Sequence, residues 1–358
     1  MPIELTVEQR DLQAALTDAW SEHAPAQDVW PSIRELGLTE IPFPEDLGGA
    51  GYGVKDASVV MTAHGRCLVS SPYLSSVIMA GLTLLHAADD EGRRAHLPAI
   101  ASGERRAALV CGPAVVSSSI GAEVTDEGTL LLNGRQDVVL DAASADVLVV
   151  VAHTASGVEL AVVDGSSAGV GRRERESLDL TREFATVEFT GVEATRVSGP
   201  YLEERLRRVR SLLMIALAAE QVGIARRCLE MTVDYAKTRQ QFGRTIGSFQ
   251  ALKHRLVDML VATELAEATV LDAADVDRFD DADLAERAAS ARVLASRAAM
   301  YAAEEAIQIH GGIGFTWEHP LHHHFRRAKT DQLLFQDDDV HVDTVARAML
   351  VRARAASV

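Results

Sequence analysis

The apolar period of this chain changes twice along its length, and few folds accommodate that. Residues 1–103 carry helical spacing, residues 104–198 carry runs of β-branched residues broken by turns, and residues 199–358 return to long helical spacing. Thr6-Val7-Glu8-Gln9 resembles a capping start, followed by apolar positions at Leu12, Ala15, Leu16, Ala19 and Trp20. A second helix is expected over residues 26–36, stopped by Gly37. Pro42, Pro44, Gly48, Gly49, Gly51 and Gly53 then forbid regular structure over residues 41–53. Further helices are expected near 55–70, 74–88 and 90–102.

In the middle region, Thr129-Leu130-Leu131-Leu132, Val147-Leu148-Val149-Val150-Val151 and Val158-Glu159-Leu160-Ala161-Val162-Val163 predict strands. Asn133-Gly134, Ser156-Gly157 and Asp164-Gly165 predict the hairpin turns between them. Gly191 and Pro200 mark the exit. Helices are then expected near 203–237, 248–275, 281–310 and 340–356, dense in alanine, which favours helix and close packing. The acidic run of residues 277–283 reads as a solvated turn between two of them. There is no internal repeat.

Charge and cysteine content exclude several functions. Lys and Arg number 35 against 52 Asp and Glu, a formal charge of −17. So acidic a surface does not hold nucleic acid or an anionic membrane through a general basic field, although one or two arginines suffice for a small anion. Cys67, Cys111 and Cys228 are odd in number, far apart and without CxxC spacing, which fits a reducing compartment. The opening residues MPIELTVEQRDLQ have neither the basic nor the apolar region of a secretory leader, and no uncharged apolar run approaches the roughly 18 residues of a spanning helix. A cytoplasmic location is expected.

Two segments carry the chemistry. One is Tyr235-Ala236-Lys237-Thr238-Arg239-Gln240-Gln241-Phe242-Gly243-Arg244-Thr245-Ile246-Gly247-Ser248-Phe249-Gln250; the other is Gln308-Ile309-His310-Gly311-Gly312-Ile313-Gly314-Phe315-Thr316. Arg239 offers a planar, permanently charged fork suited to a pyrophosphate. Gln308 offers both a donor and an acceptor, and Gly311 and Gly312 let backbone approach a ligand closely. Together with the Pro44-Glu45-Asp46-Leu47-Gly48-Gly49-Ala50-Gly51 loop, these segments resemble the signatures of the acyl-CoA dehydrogenase family across essentially the whole chain.

That resemblance implies an α+β fold: an N-terminal helical domain (1–103), a central β-barrel or sandwich (104–198) and a C-terminal four-helix bundle (199–358). It implies FAD as cofactor, held at a subunit interface, with Arg239, Phe242, Gln308, Gly311 and Gly312 reaching FAD seated mainly on the neighbouring subunit. It also implies α,β-desaturation of an acyl-CoA thioester, a reaction that needs a carboxylate base. The family places its glutamate at one of two positions, and here those positions hold Phe335 and Leu213. The flavin-ring segments depart too: Cys111-Gly112-Pro113-Ala114-Val115-Val116-Ser117-Ser118 and Asn133-Gly134-Arg135-Gln136-Asp137-Val138-Val139-Leu140-Asp141 lack the usual hydrogen-bonding and tryptophan residues.

Residues that would serve a neighbour's FAD are thus intact, while those for the chain's own flavin ring and base are missing. The pattern resembles the non-catalytic partner in actinobacterial α2β2 acyl-CoA dehydrogenases, which act on CoA esters of sterol side chains or other bulky acids. The partner is then a homologous catalytic subunit that carries the acyl-CoA. Two other readings stay open. One is a self-sufficient homomer whose displaced base is Asp337, Asp338, Asp339 or Glu220, although helix capping and arginine pairing account for these acids as well. The other is a flavin-free scaffold. His319, His322, His323 and His324, with His310 and His341 nearby, diverge too much along a helix to suggest a metal. Asp179-Leu180-Thr181-Arg182 resembles a stretch common in actinobacterial members and receives no chemistry.

Overall fold

A computed structural model describes residues 4–21 and 27–355. The expected start of the second helix at Ala26 and the expected end of the last at residue 356 lie outside these residues, as do the first three residues of the opening stretch. The first helix, α1 (Val7–Trp20), begins as its sequence predicts. The Thr6 hydroxyl accepts from the Gln9 N–H, and the Gln9 side chain accepts from the Thr6 N–H. The second, α2 (Trp30–Glu35), is shorter than the expected span. There follow α3 (Val54–Cys67), a π-helical stretch over Tyr73–Gly81 that continues into α4 (Leu82–Ala87), and α5 (Asp90–Ala101).

Seven strands follow: β1 (Ala107–Val110), β2 (Ile120–Val124), β3 (Leu130–Leu140), β4 (Val147–Thr154), β5 (Gly157–Asp164), β6 (Val170–Arg175) and β7 (Phe184–Arg196). Pairing runs β4-β2-β3-β7-β5 and returns from β5 to β4, so the sheet closes on itself as a barrel; β1 adds in parallel to β4, and β6 pairs with β7. Strand β4 shows why its run is apolar throughout. Leu148, Val150 and Ala152 fill the barrel, whereas Val147, Val149 and Val151 face the helices.

One expected turn is not a turn. Asn133-Gly134 lies inside β3, at a bulge opposite β7, where the Asn133 side chain accepts from the Gly191 N–H. Gly134 is needed there because its φ is +131° and a Cβ would stand 2.6 Å from the Ser119 carbonyl oxygen. Ser156-Gly157, in contrast, does join β4 to β5.

The C-terminal helices are α6 (Leu202–Thr238), α7 (Gln250–Ala273), α8 (Asp281–His310), α9 (Leu321–Leu333) and α10 (Asp338–Ala355). A short hairpin, β8 (Gln240–Gln241) with β9 (Arg244–Thr245), leads into α7. Helix α9 was not expected from the sequence. Within the acidic run, Asp280 caps α8 by accepting from the Ala282 and Asp283 N–H groups. Helix α6 is the axis of the molecule: it packs on α3, α7 and α8, and one core joins both helical regions to the outer face of β4 and β5. It crosses α3 at glycines: a Cβ on Gly65 would stand 1.9 Å from the Glu220 carbonyl oxygen, and one on Gly223 2.0 Å from that of Thr62.

Candidate functional site

The interior site is built where α3, α6 and α9 meet the strands. Both positions at which a base is expected are apolar and buried: Leu213 on α6 and Phe335 in the turn after α9. That turn is held by Arg292 of α8, wholly buried, whose guanidinium donates to the carbonyls of Asp331 and Leu334. Phe335 and Gln336 both take positive φ there, and Gln336 accepts from Arg210 at 2.7 Å.

Glu220, one of the candidate bases, is locked between two arginines. Arg327 of α9 donates to it at 2.5 Å, and Arg182 holds its other oxygen. Arg327 also bonds Asp179 at 2.5 Å and Thr181, while Arg182 reaches Asp331 at 2.9 Å. None of the five charged side chains is more than 5% exposed. Burial alone would raise the Glu220 carboxyl; Arg182 and Arg327 outweigh it and hold the group below the ordinary carboxylate range. Asp179 is lowered in the same way. Asp331 is the exception: burial pushes it well above that range against the pull of Arg182, and no well-aligned hydrogen bond reaches its oxygens.

Beside this network lies a cavity of about 170 Å³, lined by His64, Asp141, Ser144, Arg182, Glu220 and Arg327 among others. Ligand sites for small molecules span roughly 300–1,000 Å³, so this one is small for an acyl thioester. The Ser75 hydroxyl donates to Asp141 at 2.5 Å, and burial raises the Asp141 carboxyl to about 6. Burial pushes His64 down to about 3. The segment after β1 is folded on itself, the Gly112 N–H bonding the Ser117 carbonyl at 2.6 Å, and desolvation pushes the half-buried Cys111 thiol up to about 12.

The acids at the start of α10 stand apart from this cavity. Asp337 and Asp339 are exposed, and Asp338 is half-buried, accepting from Ser296 at 3.3 Å and from Gln332 at 3.4 Å. Among the described residues, no group of three or more His, Cys, Asp or Glu side chains is placed to hold a metal ion. The histidines pack as rings instead: His310 stacks on Tyr235 at 4.2 Å, and His322 lies 4.6 Å from Trp317.

The second site is external, where the ends of α6 and α8 come together. Tyr235 donates to the His310 carbonyl, and Ala236, Ile246 and Ile309 form a small core beneath. Arg239 and Gln308 are both exposed, and among the described residues neither side chain has a hydrogen-bond or ion-pair partner. Phe242 is 90% exposed, and Phe315 and Trp317 also face outward. Gly311 takes φ +65° and ψ −139°, ending α8 in a conformation that suits glycine. Gly312 has no such need, and nothing in the chain lies within 4 Å of where its Cβ would be. Its missing side chain and the unpaired Arg239 therefore suit a group from outside the chain, such as the dinucleotide of FAD.

Sequence reasoning did not find Arg182, Arg327, Asp331 or Asp141. The one signal was the Asp179-Leu180-Thr181-Arg182 stretch; the buried face of α9 carries His324, Thr330 and Asp331 beside Arg327, so no apolar period marks that arginine.

Residues 7–104 match the acyl-CoA dehydrogenase N-terminal domain and residues 211–350 the C-terminal domain. Acyl-CoA dehydrogenase IpdE2 of Mycobacterium tuberculosis is 36% identical, over 86% of this chain and 82% of its own. IpdE2 of Mycolicibacterium smegmatis is 35% identical, over 84% and 81%. Among solved structures, the ChsE4-ChsE5 complex from Mycobacterium tuberculosis superposes with a TM-score of 0.87 at 26% identity, covering 98% of this chain and 99% of the matched one.

Proposed function

This chain belongs to the acyl-CoA dehydrogenase family of oxidoreductases, and from that premise we propose that it completes the FAD site of a homologous catalytic subunit without abstracting the substrate proton itself. One observation carries this reading. Where the reaction needs a free carboxylate, the chain has Leu213 and Phe335, and the carboxylate nearest to Leu213 along α6, Glu220, is neutralised by Arg182 and Arg327. A base held below the ordinary carboxylate range by two arginines is a poor proton acceptor. The small cavity beside them supports the same reading.

The external cluster is the contribution to the partner. Arg239 would pair with the pyrophosphate, Gln308 and the Gly311-Gly312 backbone would approach the dinucleotide, and Phe242 would be covered on assembly. FAD, when bound, supplies the hydride acceptor for desaturation of an acyl-CoA on the partner subunit. The heteromeric ChsE4-ChsE5 complex supports a two-subunit assembly, here α2β2 with a homologous catalytic chain. The setting is cytoplasmic degradation of a fatty or sterol-derived acyl-CoA.

The competing homomeric reading has one observation in its favour: Asp141, with its raised carboxyl, lines the interior cavity. The visible flavin spectrum separates the two. The chain purified alone should be colourless, and the chain co-purified with its catalytic homologue should hold about one FAD per heterodimer. Stoichiometric FAD in the chain alone, bleached by an acyl-CoA and not bleached in D141N, would establish the homomer instead.

A further inference from the structure

On a different face of α6, cationic side chains gather where no motif marks a site. His86 of α4, Arg93 of α5, and Arg205 and Arg208 of α6 line, with Leu85, a pocket of about 270 Å³. It adjoins a groove of about 960 Å³ that shares Leu85, His86, Arg93 and Arg208 and adds the accessible apolar surface of Tyr52 and Val276, over the buried Leu82 and Leu212. Neither shares a residue with the interior cavity beside Glu220. The groove's carboxylates, Glu45, Asp56, Asp275 and Asp277, line only the larger volume, so the small pocket is cationic and the groove amphipathic.

Three arginines converging in a chain of formal charge −17 call for an explanation. Their intramolecular pairing is incomplete. Among the described residues, Arg205 has no ion-pair partner. Arg93 pairs with Asp90 and Arg208 with Asp281, and these carboxylates are 73% and 49% exposed. Exposed pairs of this kind are weak, so an incoming anion displaces them at little cost. His86 responds to the same field. Burial, with Arg208 and Arg93 beside it, pushes it down to about 4, which leaves it neutral and able to donate one hydrogen bond at neutral pH.

We propose that this pocket and groove bind an amphiphilic carboxylate, its head held by Arg93, Arg205 and Arg208 and its apolar body laid along Leu85, Val276 and Tyr52. The proposal is independent of the FAD-site reading, because none of the residues that line the pocket and groove takes part in either site described above.

Titration calorimetry of the full chain tests it, with decanoate as probe. Acetate reports the head alone, and decyl maltoside below its critical micelle concentration reports the tail alone. Decanoate should saturate at one site, and neither control should bind at the same concentration. Arg205→Gln removes a side chain without an ion-pair partner and so should keep the thermal midpoint, yet weaken decanoate about tenfold, the loss of one charge-assisted bond. Arg93→Gln should weaken it as well. No decanoate binding, acetate binding of equal strength, or unchanged affinity in both folded variants would each overturn the proposal.

Discussion

Arg327 alters what the interior of this fold can do. One guanidinium, itself buried, holds Asp179 and Glu220 in place. Arg327→Ala would leave those carboxylates buried with only Arg182 to oppose them. Losing one member of such a network costs about 3–5 kcal/mol. The expected outcome is a large fall in the urea midpoint of the chain, with secondary structure retained below it. Asp141 gives a prediction in pH. Its folded carboxyl lies near 6, above the ordinary 3.8, so the protonated form is favoured by the fold. Stability from this group is complete below about pH 4 and is lost as pH rises through 6. The shift corresponds to about 3 kcal/mol. Asp141→Asn cannot titrate, so the stability of D141N relative to wild type should rise by about that amount between pH 4 and pH 7, read from urea midpoints at each pH.

At the scale of elements, the crossing of α3 and α6 positions Glu220. Gly65 and Gly223 bring the two backbones into contact, with no room for a Cβ on either side. Gly65→Ala should force the helices apart and cost about 3 kcal/mol, the upper range for overpacking. Urea unfolding of G65A measures it; a midpoint unchanged from wild type would show that α6 can shift freely. Helix α9 and its following turn illustrate a different dependence. In sequence this segment resembles a family motif that lacks its glutamate. In the fold it is a helix whose buried face carries Arg327 and Asp331, ended by a turn pinned by Arg292. The bulge at Asn133-Gly134 belongs here too, since a dipeptide that favours a turn sits in a long strand once β7 pairs across it.

At the scale of the whole molecule, the interior charges find their partners within the chain, whereas the end of the C-terminal helices presents side chains without partners. Arg239→Ala and Gln308→Ala remove exposed side chains without partners in the chain, so each should leave the thermal midpoint of the chain within about 1 °C, consistent with the small effect of such surface changes. In the co-purified complex each should lower bound FAD, Arg239→Ala by about tenfold or more, the loss of a charge-assisted pair to the pyrophosphate. The absorbance ratio of flavin to protein is the measurement. Equal flavin content in wild type and R239A would remove this cluster from the FAD site.

Local chemistry was sufficient for part of this protein. Helical and strand periods, the capping box at Thr6, the glycines that end helices and the two C-terminal signatures are written in neighbouring residues, because they depend on spacing along one element. The absence of an acid at positions 213 and 335 is equally local. What fills the interior could only be decided by tertiary contact. Arg182 and Arg327 are 145 positions apart, and Glu220 lies between them in sequence, yet all three meet in one buried network. No period or motif encodes that meeting. It follows from burial, which makes an unpaired charge so costly that each must find its counter-ion wherever the fold brings one within reach.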